Sequence, residues 1–394
     1  MAIANRIKQN LTGASLIRLV ADEGLRMRQS SSEPVWDLSI GNPVYEPPQE
    51  FRDSLIHFLQ QDSSGYHRYM PNNGHLSARK AVAEQLEKEL GWDSISPDCV
   101  MMTVGCAGGI SLTLKVLLDP GDEVIILSPY FVEYKFYIEG HQGEPVVVPS
   151  TEDFQLDISA IEQALTSKTK AILINTPNNP TGVAYNKESI SALADLLRQH
   201  QAKTGNVVYL LNDSPYFKLM YDEDAYADPL HYYDHTILMT SFSKSLSIPG
   251  ERIGYVFASP KCEDLESFIP AMAFASRVVG FVNAPALMQH VIPQLVGLPS
   301  RVNDYKTKLD RLGNALKNAG YEMVWPDGTF YLYPKAPGGD DMKFFHALKE
   351  YRVLVVPGSG FGTPGYFRIS YCVDDTIIEN AIPAFEAVSK QILS

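Results

Sequence analysis

Lys244 stands in the run Ser241-Phe242-Ser243-Lys244, and Arg252 follows eight residues later. An amine there, if desolvated or set beside another cation, loses its proton and can form a Schiff base with a carbonyl. Ser241 and Arg252 would then offer donors to a phosphate, Arg252 in bidentate fashion. Thr103-Val104-Gly105-Cys106-Ala107-Gly108-Gly109 reads as a strand end, a glycine turn and a helix start, where unpaired backbone N–H groups make an anion site. Asn175-Thr176-Pro177-Asn178-Asn179-Pro180-Thr181-Gly182 holds side-chain amides in a proline-stiffened loop, placed to hydrogen-bond a ring oxygen and a carboxylate. A cis bond before Pro177 or Pro180 suits such a loop. Asp213, in Leu211-Asn212-Asp213-Ser214-Pro215-Tyr216, ends an apolar run and can pair with a protonated ring nitrogen. Each segment alone also has an ordinary reading: a solvated lysine, a tight turn, proline turn chemistry, an Asx turn or helix cap.

These residues need elements to hold them. Short apolar runs at 100–104, 123–127, 145–148, 171–175, 207–211, 237–240 and 253–258 predict strands. Helix-like stretches at 109–118, 131–140, 156–165 and 187–201 lie between them. Strands apolar on both faces and spaced by helices predict an α/β fold: a large domain with a mostly parallel seven-stranded sheet flanked by helices. The last part predicts a helix at 300–319, short strands at 321–324, 329–333, 353–356 and 367–370, and helices at 340–351 and 374–393. That pattern predicts a smaller α+β domain built from both chain ends. The expected boundaries are 1–48 for an N-terminal segment packing with the small domain, 49–285 for the large domain and 286–394 for the small one. All four signal segments lie in or beside the large α/β region, and Lys244 follows the carboxyl end of a strand, where such sheets bind ligands.

Taken together, the segments resemble one family: the pyridoxal-5′-phosphate (PLP) dependent aminotransferases of fold type I, class I/II, aspartate aminotransferase-like. The correspondence runs from Ser39-Ile40-Gly41-Asn42-Pro43 to Arg368. The resemblance implies that Lys244 is the Schiff-base lysine and proton shuttle, and that Asp213 keeps the pyridine nitrogen protonated. Asn179 and Tyr216 would hydrogen-bond the ring hydroxyl, and Phe131 would stack on the ring. Gly105, Cys106 and Ala107 would give backbone contacts to the phosphate, helped by Ser241, Ser243 and Arg252. Arg368 would clamp the substrate α-carboxylate, Gly41 would line the substrate site, and Tyr69 would reach the phosphate of the partner subunit. The implied protein is a homodimer that transfers an amino group between an L-amino acid and a 2-oxo acid. A PLP lyase, such as a C–S β-lyase, or a decarboxylase would use the same lysine, aspartate and phosphate cup.

The chain departs from that pattern at three places. The ring-stacking position, often Trp, is Phe131, which gives less surface. The usual Asp-Glu-x-Tyr is Asp213-Ser214-Pro215-Tyr216. Ala107 stands where some aspartate-using relatives carry a lysine that meets the distal carboxylate. Arg277 and Arg18 are the cations that could substitute, and each equally reads as a solvated or structural arginine.

Composition limits the alternatives. The 394 residues are 45% hydrophobic and 20% charged, which excludes a disordered chain. With 33 Lys+Arg against 46 Asp+Glu the net charge is −13, and without a basic run it offers little to nucleic acid. A regulator carrying a basic DNA-binding domain is not expected either, because nothing before Gly41 is long or basic enough. The longest stretch without Asp, Glu, Lys or Arg, 278–300, is broken by Asn283, Pro285, Gln289, His290, Pro293 and Gln294, too polar for a membrane span. Arg6 and Lys8 argue against a signal peptide, so Asn10-Leu11-Thr12 reads as a chance sequon. Four cysteines without a CxxC pair suit reduced thiols of a cytoplasmic protein. No metal is expected: His231 and His235 have HxxxH spacing but sit in a loop-like run. Gly360-Phe361-Gly362-Thr363-Pro364-Gly365 matches GxGxxG but leads into a strand, so it reads as a hairpin or mobile loop over the active site.

Overall fold

The computed structural model describes residues 3–4, 7–8, 10, 16–61 and 64–393. Arg6 and the Leu11-Thr12 part of the sequon lie outside the described residues. In chain order the helices are α1 (Leu16–Ser30), α2 (Gln49–Gln60), α3 (Leu76–Leu90), α4 (Gly105–Leu117), α5 (Glu133–Gly140), α6 (Ile158–Ala164), α7 (Lys187–Thr204), α8 (Phe242–Ser245), α9 (Leu265–Val279), α10 (Ala286–Val291), α11 (Val302–Asn318), α12 (Asp341–Glu350) and α13 (Asp375–Leu393). The strands of the large sheet are β2 (Val100–Thr103), β3 (Glu123–Ser128), β4 (Glu144–Pro149), β5 (Thr169–Asn175), β6 (Tyr209–Asp213), β7 (Thr236–Ser241) and β8 (Gly254–Ala258); β1 (Trp36–Asp37) lies outside it.

The sheet order is β2-β8-β7-β6-β5-β3-β4. Only β8 runs antiparallel to its neighbours, so the expected mostly parallel seven-stranded sheet is present. Ile125, Ile172, Leu210, Leu211 and Val256 are fully buried. Central strands covered by helices on both faces need apolar residues at every position, which is why these runs do not alternate. Two of the flanking helices begin at side-chain caps: Asp157 accepts from Ala160 N–H at α6, and Asn186 from Ser189 N–H at α7. Of the elements that start away from their expected residue, two bear on the site. Helix α4 begins at Gly105 rather than 109, because Gly105 (φ 67) turns the chain directly off β2. Strand β6 is shifted to 209–213, so Asp213 is its last residue.

Beside this sheet, β9 (Tyr331–Leu332), β12 (Phe367–Ser370) and β11 (Val356–Pro357) form a small antiparallel sheet, and β1 pairs in parallel with β10 (Val353–Leu354). Leu38 N–H donates to Leu354, and Ser370 N–H donates to Leu38, so the N-terminal segment is stitched to the C-terminal strands. Val20 and Leu38 share a buried cluster with Leu309, Phe344, Phe367 and Phe385. The expected strand at 321–324 is irregular chain instead; Tyr321 is spent on core packing against Phe344, Phe367 and Phe385. Met288, Val291, Ile292 and Leu295 pack with Phe51, Val82 and Met102, in the core beside the large sheet. Leu298 still packs against that core, whereas Val302 packs against the cluster of Leu309 and Phe344. The 360–365 segment lies in the connection of a hairpin, between the antiparallel β11 and β12, as the first of its two expected readings had it. Phe361 is fully buried, its carbonyl accepts from Tyr130 N–H, and it packs beside Val132, Tyr333 and Leu16. Among the described residues no helix is long and apolar enough to cross a membrane.

Candidate active site

Residues at the carboxyl ends of β5, β6 and β7, with the start of α4 after β2, converge on a cavity of about 300 Å³. This is where mostly parallel sheets leave a crevice. Its wall includes Gly41, Cys106, Ala107, Phe131, Asn179, Asp213, Tyr216, Ser241, Ser243, Lys244, Arg252 and Arg368.

One end is built for an anion. Among the described residues no side chain caps the first turn of α4, which leaves its N–H groups available. A Cβ on Gly105 would lie 2.7 Å from Arg252 Nη2, so only glycine lets that guanidinium approach the turn. Gly254 has the same role one layer down: a Cβ would sit 2.4 Å from the Thr240 carbonyl and 3.0 Å from the Gly105 backbone. Arg252 has φ 53, a left-handed backbone that costs about 1–3 kcal/mol outside glycine. Its Nη1 donates to Pro249 O (3.0 Å). Ser241 and Ser243 complete this end.

Asp213 is buried at the tip of β6. Cys106 Sγ donates to its Oδ1 (2.8 Å), and Tyr134 Oη donates to its Oδ2. Burial nevertheless pushes this carboxyl up to about 6, because an ionised carboxylate is poorly solvated there and the two hydrogen bonds offset only part of that cost. A carboxyl so placed gains from a cationic partner.

Lys244 lies on the single turn α8. Phe242 and Leu246, one turn apart, bury in the core beside β8, and this turns Lys244 toward the cavity. Its Nζ donates to Gly41 O (2.8 Å) and sits 5.4 Å from the Phe330 ring centroid. Burial first, then the positive charges of Arg368 and Arg252, bring the amine down to about 8, while Cys372 acts the other way. At pH 7 roughly a tenth of it is then an uncharged nucleophile, far more than for an ordinary lysine.

Arg368 closes the other end. Nη1 donates to Asn179 Oδ1 (2.8 Å) and Nη2 to Ser39 O (2.6 Å). The guanidinium lies over Tyr331 (4.5 Å) and Phe361 (5.0 Å), while the buried Nε has no partner among the described residues. A fixed, buried cation with an unspent N–H is a receptor for a planar anion such as a carboxylate. Asn175 ties the pieces together: its Nδ2 donates to Asp213 O (2.7 Å), and its Oδ1 accepts from Asn179 N–H (2.6 Å). Since Asn179 Oδ1 is engaged by Arg368, what Asn179 can offer a ligand is its NH₂. Tyr216 Oη lies 3.2 Å from Tyr331 Oη, and burial pushes the Tyr216 phenol well up, so it remains a donor. The peptide bond before Pro177 is cis, as is that before Pro129; no cis bond precedes Pro180.

Every residue expected at the site converges here except one. Gly105 joins through its backbone beside Arg252. Tyr69 is 90% exposed and lies away from the cavity of its own chain. Arg18 and Arg277 are exposed, and neither lines the cavity. Sequence reasoning missed Tyr134, Tyr331 and Asn175. Tyr134 is three residues beyond Phe131 in a helix-like stretch, a spacing that shares a face. Asn175 heads the amide loop itself. Tyr331 had no local signal.

The donor set suits PLP: anion donors at one end, a buried acid in the wall, an amine of lowered basicity opposite, and an arginine beyond. A family model for aminotransferase class I and II matches residues 33–385, and the chain belongs to this family. It is similar to the aspartate aminotransferase of Thermotoga maritima, at 32% identity over 90% of this chain and 91% of the relative. It is also similar to aromatic-amino-acid aminotransferase 2 of Thermococcus litoralis, at 33% identity over 99% of both chains. Among solved structures, an amino transferase from Eubacterium rectale superposes with a TM-score of 0.95 at 37% identity, covering 100% of both chains. Thermus thermophilus aspartate aminotransferase with maleate superposes at 0.86 with 29% identity, over 98% of this chain and 100% of the other. The protein is thus a PLP-dependent aminotransferase, acting on amino acids and 2-oxo acids.

Proposed function

We propose that the cavity carries out transamination with Lys244 as the amine that holds the cofactor aldehyde and then moves protons. The observation that carries this reading is the convergence of Lys244, Asp213, Arg252 and Arg368 on one cavity. When bound, PLP supplies an electron sink for the electrons of the substrate Cα–H bond. The first-turn N–H groups of α4, Ser241, Ser243 and Arg252 hold its phosphate. Asp213 pairs with its ring nitrogen, Asn179 and Tyr216 donate to its ring hydroxyl, and Phe131 covers a face. Arg368, held flat by Asn179, Ser39 and Tyr331, binds the α-carboxylate and so points the substrate Cα toward Lys244. Lys244 Nζ, able to be neutral near pH 8, would take the substrate Cα proton as base and then, as acid, deliver it to the carbon that had carried the cofactor's aldehyde rather than back to Cα. Gly41 is small because a Cβ would fall 1.8 Å from Tyr331 Oη.

The assembly is a homodimer. Tyr69 is almost fully exposed although it is a large aromatic, and Leu76, Phe274 and Val278 are exposed as well. Tyr69 would serve the partner's phosphate end. The compartment is the cytoplasm, a reading supported by four buried cysteines with free thiols.

Single-turnover reactions with a panel of L-amino acids test the function. Transamination converts the cofactor stoichiometrically to its aminated form and releases one 2-oxo acid. A lyase instead returns the original cofactor spectrum and releases pyruvate or a similar product, which would displace the reading.

A further inference from the structure

The Cys106 side chain has a partner of its own. Its Sγ lies 2.8 Å from Asp213 Oδ1, while Tyr134 Oη donates to Oδ2, so each carboxylate oxygen has one donor. The thiol comes from the first turn of α4 and the phenol from α5; all three groups are buried. A carboxylate in such a setting reverts to its neutral form unless donors hold the charge. Burial favours the neutral form of Asp213, and the hydrogen bonds from Cys106 and Tyr134 oppose it. The other titratable groups that feel this carboxyl, Tyr137 and Tyr216, are themselves pushed up by burial. Cys106 and Tyr134 are pushed well up too, so both stay protonated at neutral pH; Arg252 acts on Cys106 in the opposite sense.

We propose that Cys106 and Tyr134 are positioning residues that fix both oxygens of Asp213 and keep it an ionised acceptor aimed at the ring-nitrogen site. This rests on the assignment of Asp213 to the PLP ring nitrogen. Cys106 then serves twice, with its backbone toward the phosphate end and its thiol toward the acid in the wall. The thiol is the weaker donor of the pair, so a hydroxyl at that position does the same work.

The test titrates the protonated-carboxyl infrared band of Asp213, defined as the band missing in D213N, in the full-length chain from pH 4 to 9. The dissociation constant of PLP is measured alongside at pH 6.5. The wild-type midpoint is expected near 6. C106A raises it by about one unit and Y134F by at least as much, while C106S stays within a few tenths of wild type. C106A weakens PLP binding at pH 6.5 about threefold, because less Asp213 is ionised; C106S restores it. A purely structural role would lower the melting temperature of C106A and leave the carboxyl midpoint unmoved, which overturns the proposal. If C106A does not fold, an unmoved midpoint in Y134F, or a midpoint in C106S raised by a unit, overturns it equally. A moved midpoint with unchanged PLP affinity refutes the aim at the ring nitrogen. If D213N binds PLP as tightly as wild type, the Asp213 assignment itself fails, while the midpoints still judge the two donors.

Discussion

Replacing Asp213 by Asn should stabilise the cofactor-free chain at neutral pH while it disables the cofactor site. The folded-state midpoint of Asp213 is about 6 against an ordinary 3.8, roughly two units. A raised acid binds more protons in the native state between those values, so its stability contribution is full below 3.8 and is lost as pH rises through 6. At about 1.36 kcal/mol per unit, holding the ionised form at pH 7 costs roughly 3 kcal/mol. An unfolding entropy near 2.1 cal/mol/K per residue over a chain of this length turns that into about 3–4 °C. Asn keeps the shape; one oxygen still accepts, and the NH₂ donates to the other partner. Those pH-independent differences cancel when the two proteins are compared across pH. Thermal unfolding of both cofactor-free chains from pH 4 to 7 should therefore show D213N gaining about 3–4 °C on wild type across that range. With saturating PLP at pH 7.5 the order should reverse, because the wild-type carboxylate acquires a cationic partner. A melting difference that stays flat from pH 4 to 7 would refute the claim that Asp213 is held ionised at a cost.

Three other outcomes follow from the geometry. Arg368→Gln removes the receptor for the α-carboxylate, so kcat/KM for amino acids should fall about 10²–10³-fold across the whole panel; steady-state kinetics check this, and a loss confined to one substrate would contradict it. Attachment of PLP requires the neutral amine of Lys244, so its rate should rise with pH through a midpoint near 8; stopped-flow absorbance reads the midpoint, and a value near 10 would show that the amine is not desolvated. Ala107→Lys puts a cation on the cavity wall and should lower KM for aspartate about tenfold relative to an aromatic amino acid; an equal change for both would place that wall away from the substrate side chain.

The sequence made the sheet legible because its strands are buried on both faces, so apolar runs stood out without alternation. It made the four chemical segments legible because each falls at a strand end, where chain direction alone predicts a crevice. The small domain was read less well. Residues 321–324 look like a strand, but Tyr321 is consumed by aromatic packing that only the assembled core reveals. The 360–365 glycines read as a hairpin or a mobile loop; they lie in the β11–β12 hairpin, with Phe361 anchored beneath Arg368. The support around Asp213 and Arg368 was largely invisible for the same reason. Tyr134 and Cys106 meet the acid from α5 and α4, and Tyr331 meets Arg368 across the small sheet. Such contacts join residues 79 to 107 positions apart around Asp213, and no local pattern encodes them.

Every role assigned to the cavity depends on attachment of the cofactor to one amine, Lys244. Borohydride reduction of the PLP-loaded chain, followed by proteolysis and mass spectrometry, should place a single pyridoxyl label on Lys244, with K244A unlabelled. A label on any other lysine, or a PLP-saturated chain that shows no visible absorbance and takes no label, would contradict it.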